Sequence, residues 1–365
     1  MRRKRFLLVF STLLLILGYV LFWRHSEEES HVEIAADGQD FANLVKDDDF
    51  PDIPNTTLTP TTTEEHHPGL PQALEIFIIM TNMKTRSNLG PNFHRFFTSL
   101  TEFASKPINL HIICDQDSKK YLTSYSNSTD FFQSKVPIKL LYYNAKESFE
   151  KARDVVMAMK PHFSSASGSY YSDDLFFLSL GLHQISSLNQ VLLLDIDIQF
   201  RADVVLLFQF FELFNDDQMF GLAPELSPVY KHVLYKYLNK LKENPQKIGE
   251  PDIEDGYSGF NSGVVLLDLE KMRLSAFYET LVSTDSVNEL SVEFEFKGHL
   301  GDQDFFTLMG IKSPELIFKL PCAWNRQMCQ WWREHGYADV FDRYFACEGK
   351  VKIYHANCNS SIPQK

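Results

Sequence analysis

The stretch VLLLDIDIQF, Val191 to Phe200, runs four apolar residues into two aspartates separated by one isoleucine, after which the apolar pattern resumes. It reads as the end of a buried strand, and a carboxylate taken out of water needs a partner. In an extended chain residues i and i+2 share a face, so Asp195 and Asp197 would project together. Two oxygens on one side suit a hard divalent cation, Mn2+ or Mg2+. An Asx-type turn, in which each carboxylate accepts from nearby backbone N–H groups, satisfies the same residues.

Short apolar runs alternate with helical spacing on both sides of this stretch. LEIFIIMT (Leu74 to Thr81), INLHIIC (Ile108 to Cys114) and PIKLLYYN (Pro137 to Asn144) read as strands, as do FGLAP and SGVVLLDL (Ser262 to Leu269) later on. NQVLLLDID reads as one strand that continues through Asp197. Phe93, Phe96, Phe97, Leu100 and Phe103 recur at helical spacing, and DDLFFLSLGLHQ (Asp173 to Gln184) reads as an apolar helix. The alternation predicts an α/β fold with a mixed, mostly parallel central sheet. In such folds ligands bind beyond the carboxyl ends of the strands, where Asp195 and Asp197 sit.

Three later segments place polar residues beside apolar ones. In GYSGFNSGVVLLDLEKM, Asn261, Ser262 and Gly263 precede a core strand. The amide and hydroxyl suit sugar hydroxyls, and a tight loop into the strand explains them equally well. In HLGDQDFFTL, Asp302 precedes an apolar helical start, where it would cap the helix, bind a ligand, or do both. In KIYHANCNSS, His355 follows a short strand and would complete a partial cation shell with the two aspartates. Trp324, Trp331 and Trp332 would stack on an acceptor sugar or pack beside a disulfide.

Composition narrows the classes. The 365 residues include 31 phenylalanines and are 44% hydrophobic, enough for a large core. The formal charge of −13, with no basic stretch beyond MRRKR, argues against nucleic-acid binding. FLLVFSTLLLILGYVLFW, Phe6 to Trp23, holds 18 residues without a charge, enough to span a bilayer. Basic residues before it and acidic ones after it predict a retained signal anchor with residues 1–5 cytosolic and the remainder lumenal. Residues 24–72, acidic and rich in Thr and Pro, read as a disordered stem, and 73–365 as the folded domain. Acceptor motifs for glycosylation occur at Asn55, Asn127 and Asn359. Cys114 reads as a core thiol. Cys322, Cys329, Cys347 and Cys358 lack zinc-site spacing, so an oxidising lumen predicts two disulfides, with three pairings open.

The order of IMT, LLLDIDIQF, GFNSGVVLLDL, GHLGDQDFF and IYHANCN resembles the retaining nucleotide-sugar transferases of glycosyltransferase family 8, which have a GT-A fold. The resemblance is strongest to members that move xylose from UDP-xylose to xylosyl-glucose on EGF-like repeats of the Notch type, in the endoplasmic-reticulum membrane, with the Golgi as second choice. It implies Mn2+, with Mg2+ as substitute, on Asp195, Asp197 and His355. It implies donor contacts from Ile79, Met80, Thr81, Ile196, Asn261, Ser262, Gly263, Val264, His299, Gln303 and Asn357. Gln303 and Asp302 are implied at the reacting centre, and the disulfides as Cys322–Cys347 and Cys329–Cys358. The family often ends HxGxxKPW, whereas HANCNSSIPQ has no lysine in that place. Transfer of glucose or galactose, or glycan binding without chemistry, are the alternatives, and a homodimer is compatible with the chain.

Overall fold

The computed structural model describes residues 71–128, 134–165 and 174–363. The anchor at Phe6 to Trp23, the stem up to Leu70 and Asn55 lie outside them. Among the described residues no helix is long and apolar enough to cross a membrane.

A seven-stranded sheet carries the architecture. Its strands are β1 (Leu74–Met80), β2 (Ile108–Cys114), β3 (Ile138–Asn144), β4 (Gln190–Leu194), β6 (Phe220–Pro224), β7 (Phe260–Asp268) and β8 (Ile317–Lys319). Their spatial order is β3-β2-β1-β4-β7-β6-β8. β1, β2, β3 and β4 run parallel, whereas β7 is antiparallel to both neighbours. β1 and β4 are apolar at successive positions because both faces of the sheet are covered. The longer helices are α1 (Leu89–Phe103), α2 (Gln116–Tyr125), α3 (Arg153–Phe163), α4 (Thr284–Glu293) and α5 (Asp302–Lys312). One face of the sheet buries Phe77, Val191, Val265 and Leu267 with Phe163, Phe305 and Phe306. The other buries Ile76, Ile78, Leu192 and Leu266 with Phe93, Phe96 and Phe97 of α1. Cys114 is a free, buried thiol at the end of β2.

A second, three-stranded sheet joins β5 (Ile198–Phe200), β10 (Ile353–His355) and β9 (Arg326–Gln327). It lies against α1, where Phe96 meets Phe200 edge-on at 5.8 Å and the Ser99 hydroxyl accepts from the Phe200 N–H at 3.1 Å. Cys322 is bonded to Cys347 and Cys329 to Cys358, so the segments that flank β9 and β10 are tied together.

Three local expectations change. β4 stops at Leu194, and Asp195 to Asp197 turn the chain from the large sheet into β5, so the aspartates do not face each other's side through a strand pleat. The expected helix over 173–184 is instead a 3-10 turn at Asp174–Phe177 and a short helix at Leu182–Ile185. Phe177, Leu178, Leu180 and Leu182 are all buried, so no polar helical face exists there, and Gly181 seats against Ala152. β7 begins at Phe260, two residues before the expected start at Ser262, so Asn261 stands in the strand with Ser262 and Gly263.

Replacing Cys329 and Cys358 together by Ser opens a loop of 29 residues. Urea denaturation of that variant should show a loss of about 3–4 kcal/mol, and native-like stability would show that this crosslink does not restrain the chain.

Candidate active site

The carboxyl ends of β1, β4 and β6 and the amino end of β7 meet at one edge of the sheet. The Asp195 N–H donates to the Gly263 carbonyl at 2.9 Å, continuing the β4–β7 ladder past its last apolar pair, Leu194 with Val264. The Ala356 N–H donates to the Asp197 carbonyl at 2.9 Å, which seats β10 beside the turn. These two bonds bring His355 over the aspartates. Its Nε2 lies 3.4 Å from Asp195 Oδ2 and 3.4 Å from Asp197 Oδ1. Its imidazole is buried, whereas the Asp195 side chain is 57% exposed, so the cluster opens to solvent on the aspartate side.

These three side chains fit a divalent cation. One donor atom from each lies within 4.8 Å of the others. Two carboxylate oxygens and one imidazole nitrogen suit Mn2+ or Mg2+, with positions left for oxygen ligands. The cradle is specific to glycine at 263, because a Cβ there would lie 2.2 Å from His355 Cε1. Burial alone would lower the His355 pKa, but Asp197 and Asp195 outweigh it and push it up to about 10. Burial raises Asp197, and His355 overrides it, leaving that carboxyl below its ordinary value.

Beside this cluster lies a group of buried amides and carboxylates. Asn261 Nδ2 donates to Glu225 Oε2 and to Gln303 Oε1, each at 3.0 Å, and Gln303 Nε2 donates to Glu225 Oε2 at 3.2 Å. Asn325 Nδ2 donates to Asn261 Oδ1 at 2.9 Å, and Asn325 Oδ1 faces His355 Nδ1 at 2.9 Å. The Ser262 hydroxyl donates to Asp302 Oδ1 at 2.9 Å, and the Ser179 hydroxyl to its other oxygen. Burial pushes Asp302 up to about 7. Asp302 is the first residue of α5, and Gly301 occupies the cap position, so Asp302 does not cap the helix. Asp304 instead receives the His299 and Leu300 N–H groups, each at 2.8 Å.

Of the residues expected from sequence, Asp195, Asp197, His355, Asn261, Ser262, Gly263, Asp302 and Gln303 converge here. Ile79 and Met80 end β1, the parallel neighbour of β4, and Thr81 follows them. Ile196 lies between the aspartates. Val264 is fully buried opposite Leu194. Asn357 turns its Oδ1 inward, accepting from the Met328 and Cys329 N–H groups at 2.9 Å each. Trp324 is buried and meets Phe210 edge-on. Trp331 is half exposed and stacks on His335, and Trp332 packs on His232 and Tyr337. Sequence reading missed Glu225 and Asn325. Glu225 follows FGLAP as Asp195 follows VLLL, so the rule that found one applies to the other. Asn325 lies between a core tryptophan and β9, and no local pattern marks it.

The family model described as Glycosyl transferase family 8 matches residues 79–340. Human Xyloside xylosyltransferase 1 is 42% identical over 264 residues, covering 72% of this chain and 66% of the relative. Human Xylosyl- and glucuronyltransferase LARGE1 is 30% identical over 267 residues, covering 71% of this chain and 30% of the relative. The chain thus spans just under two thirds of the first of these relatives. The crystal structure of mouse Xyloside xylosyltransferase 1 in its apo form superposes with a TM-score of 0.73 at 37% identity, over 80% of this chain and 100% of that one.

Two outcomes follow from the geometry. Gly263→Ala should displace the His355 ring and weaken Mn2+ binding, read by titration calorimetry, while circular dichroism stays native; unchanged binding would remove Gly263 from the cradle. A proton on His355 competes with the cation, so Mn2+ affinity should fall as pH falls, by up to tenfold per unit for one displaced proton. An affinity that is flat between pH 6 and 8 would exclude that competition.

Proposed function

The chain belongs to glycosyl transferase family 8, and on that premise we propose that it is a retaining α-xylosyltransferase that uses UDP-xylose. The observation that carries this reading is the convergence of Asp195, Asp197 and His355 with Asn261 and Gln303 at one sheet edge. The likeness to xyloside xylosyltransferases supplies the donor sugar. The acceptor in this reading is xylosyl-glucose on EGF-like repeats of the Notch type.

Asp195, Asp197 and His355 would hold Mn2+. The cation, when bound, supplies positive charge where a leaving diphosphate gathers negative charge. Ile79, Met80 and Thr81 would line the nucleotide end, and Ile196 would contact the donor through its backbone. Asn261, Ser262 and His299 would meet the sugar, with Asp302 and Gln303 next to the reacting carbon. Gln303 is an amide and a poor nucleophile. Its Nε2 and Oε1 are both engaged by neighbours, which holds its side chain in one place. Retention by same-face attack, with a donor phosphate oxygen taking the acceptor's proton, fits these groups better than a covalent intermediate. Trp331, Trp332, His232 and Tyr337 pack together and would offer an aromatic surface to an acceptor, whereas Trp324 is buried.

The segment Phe6 to Trp23 would anchor the chain in the endoplasmic-reticulum membrane with the catalytic domain lumenal. Basic residues before it, acidic residues after it, the sequons and two disulfides support that placement.

UDP release, measured with Mn2+ and a panel of UDP-sugars, should occur with UDP-xylose and be stimulated by a xylosyl-glucose acceptor. Asp195→Asn should lower it by about two to three orders of magnitude, and Gln303→Ala should slow it without abolishing it. Release with UDP-glucose or UDP-galactose instead would replace the donor. No release from any donor would leave a glycan-binding protein without chemistry. A sugar trapped covalently on an Asp or Glu would exclude same-face attack.

A further inference from the structure

We propose that Asn325 is a positioning residue for the cation site: it dictates which ring nitrogen of His355 presents a lone pair, at one end of a one-way chain of buried hydrogen bonds that also orients Gln303. This inference deepens the function proposed above and rests on it.

Side-chain amides can be turned end for end, so their polarity has to come from groups that cannot. Two backbone groups supply it. The Gly263 N–H donates to Asn261 Oδ1 at 3.1 Å, which fixes that atom as the oxygen. Asn261 must then turn its Nδ2 toward Glu225 Oε2 and Gln303 Oε1. The second fixed group is the Asn261 backbone carbonyl, 3.3 Å from Asn325 Nδ2. Asn261 Oδ1 lies 2.9 Å from the same nitrogen. Asn325 therefore meets two acceptors with its NH2 group. The opposite orientation would set oxygen against oxygen twice in a buried space.

Only Asn325 Oδ1 remains, and it faces His355 Nδ1 at 2.9 Å. An amide oxygen can only accept, so the proton of a neutral His355 sits on Nδ1. The lone pair then lies on Nε2, the atom between Asp195 and Asp197. A metal-binding imidazole is oriented in this way by the partner of its other nitrogen. Asn325 is fully buried, so solvent does not compete for the bond.

Followed onward, every bond in the chain donates in one direction. His355 donates to Asn325, Asn325 to Asn261, Asn261 to Gln303 and Glu225, and Gln303 to Glu225. Glu225, buried after β6, is the terminal acceptor. Such a chain polarises along its length. The same chain that makes Nε2 the better ligand also settles which end of the Gln303 amide points at Glu225. The cation side and the sugar side of the site are thus set by one set of bonds.

Two variants of nearly the same size separate this role from packing. Asn325→Asp keeps an oxygen toward His355 and loses the donors to Asn261. Asn325→Leu keeps bulk and loses the acceptor. Mn2+ affinity of the full chain in detergent, read from free Mn2+ by electron paramagnetic resonance without donor or acceptor, should fall about 10- to 100-fold in N325L. N325D should stay closer to wild type than to N325L, whatever the melting temperatures of the cation-free proteins. Equal binding by N325L and wild type, or equal losses in both variants, would overturn the inference. The wild type offers a check independent of variant folding. In Mg2+-loaded, 15N-histidine-labelled protein, the signal lost in His355→Gln should show a proton on Nδ1; a proton on Nε2 would overturn the inference. A wild type that binds no Mn2+ would overturn the cation reading and this inference together, whereas binding by wild type that N325L fully retains would overturn this inference alone.

Discussion

Asp195 donates its N–H to Gly263, so the ladder between β4 and β7 runs one step beyond the apolar residues that bury both strands. The site depends on that step. β7 runs against β4 and β6, so its amino end, rather than its carboxyl end, meets the ends of both. Asn261, Ser262 and Gly263 thereby stand beside Asp195 and Glu225, although 36 to 68 residues separate them in sequence. A parallel β7 would have delivered Leu267 and Asp268 to the same place. The missing side chain of Gly263 then leaves the space that the His355 ring occupies.

Two kinds of electrostatics share this edge. On the aspartate side the charges are partly open to solvent, and one buried imidazole is shared between them. Around Asn261 and Gln303 the groups are buried, and amides alternate with carboxylates in one hydrogen-bonded cluster. Buried carboxylates there are covered individually: Asp302 by two serine hydroxyls, Asp304 by two backbone N–H groups and the Tyr230 hydroxyl at 2.9 Å. Sugar hydroxyls are weak acids that both donate and accept, so fixed neutral partners recognise them without the desolvation penalty of an unpaired ion. Gln327 extends the arrangement by holding the loop that bears Glu225, accepting from the Leu226 N–H at 2.7 Å and donating to the Pro224 carbonyl at 2.9 Å.

The long strands were legible because their apolar runs need no knowledge of distant partners. LEIFIIM, INLHIIC and QVLLL are buried on both faces, and composition alone announces that. The three strands of the small sheet are two or three residues long, below the length at which any period can be read, and β10 pairs with β5 across more than 150 residues. The 173–184 stretch misled for a related reason, since Phe177, Leu178, Leu180 and Leu182 are all buried and carry no period to separate a helix from successive turns. Among the site residues, Asp195, Asp197 and His355 were legible through their chemical type and their places after apolar runs. Asn325 was not, because its importance lies wholly in three partners that the fold brings to it.

Charge also sets an order on the proposed reaction. The chain carries a formal −13, and two of those charges stand at the mouth of the candidate site. A nucleotide diphosphate approaching the bare aspartates would meet like charge. With a divalent cation held there, the two carboxylates and the ion would sum to zero, and the ion would supply positive charge toward the diphosphate. The cation therefore favours the donor and, by linkage, the donor favours the cation by the same factor. In HANCNSSIPQ the place where the family often carries a lysine holds none, so no fixed positive charge from that place would relax the dependence. The balance would then rest on an ion held by Asp195, Asp197 and His355, and the bonds that aim His355 would bear on donor binding as well as on the metal.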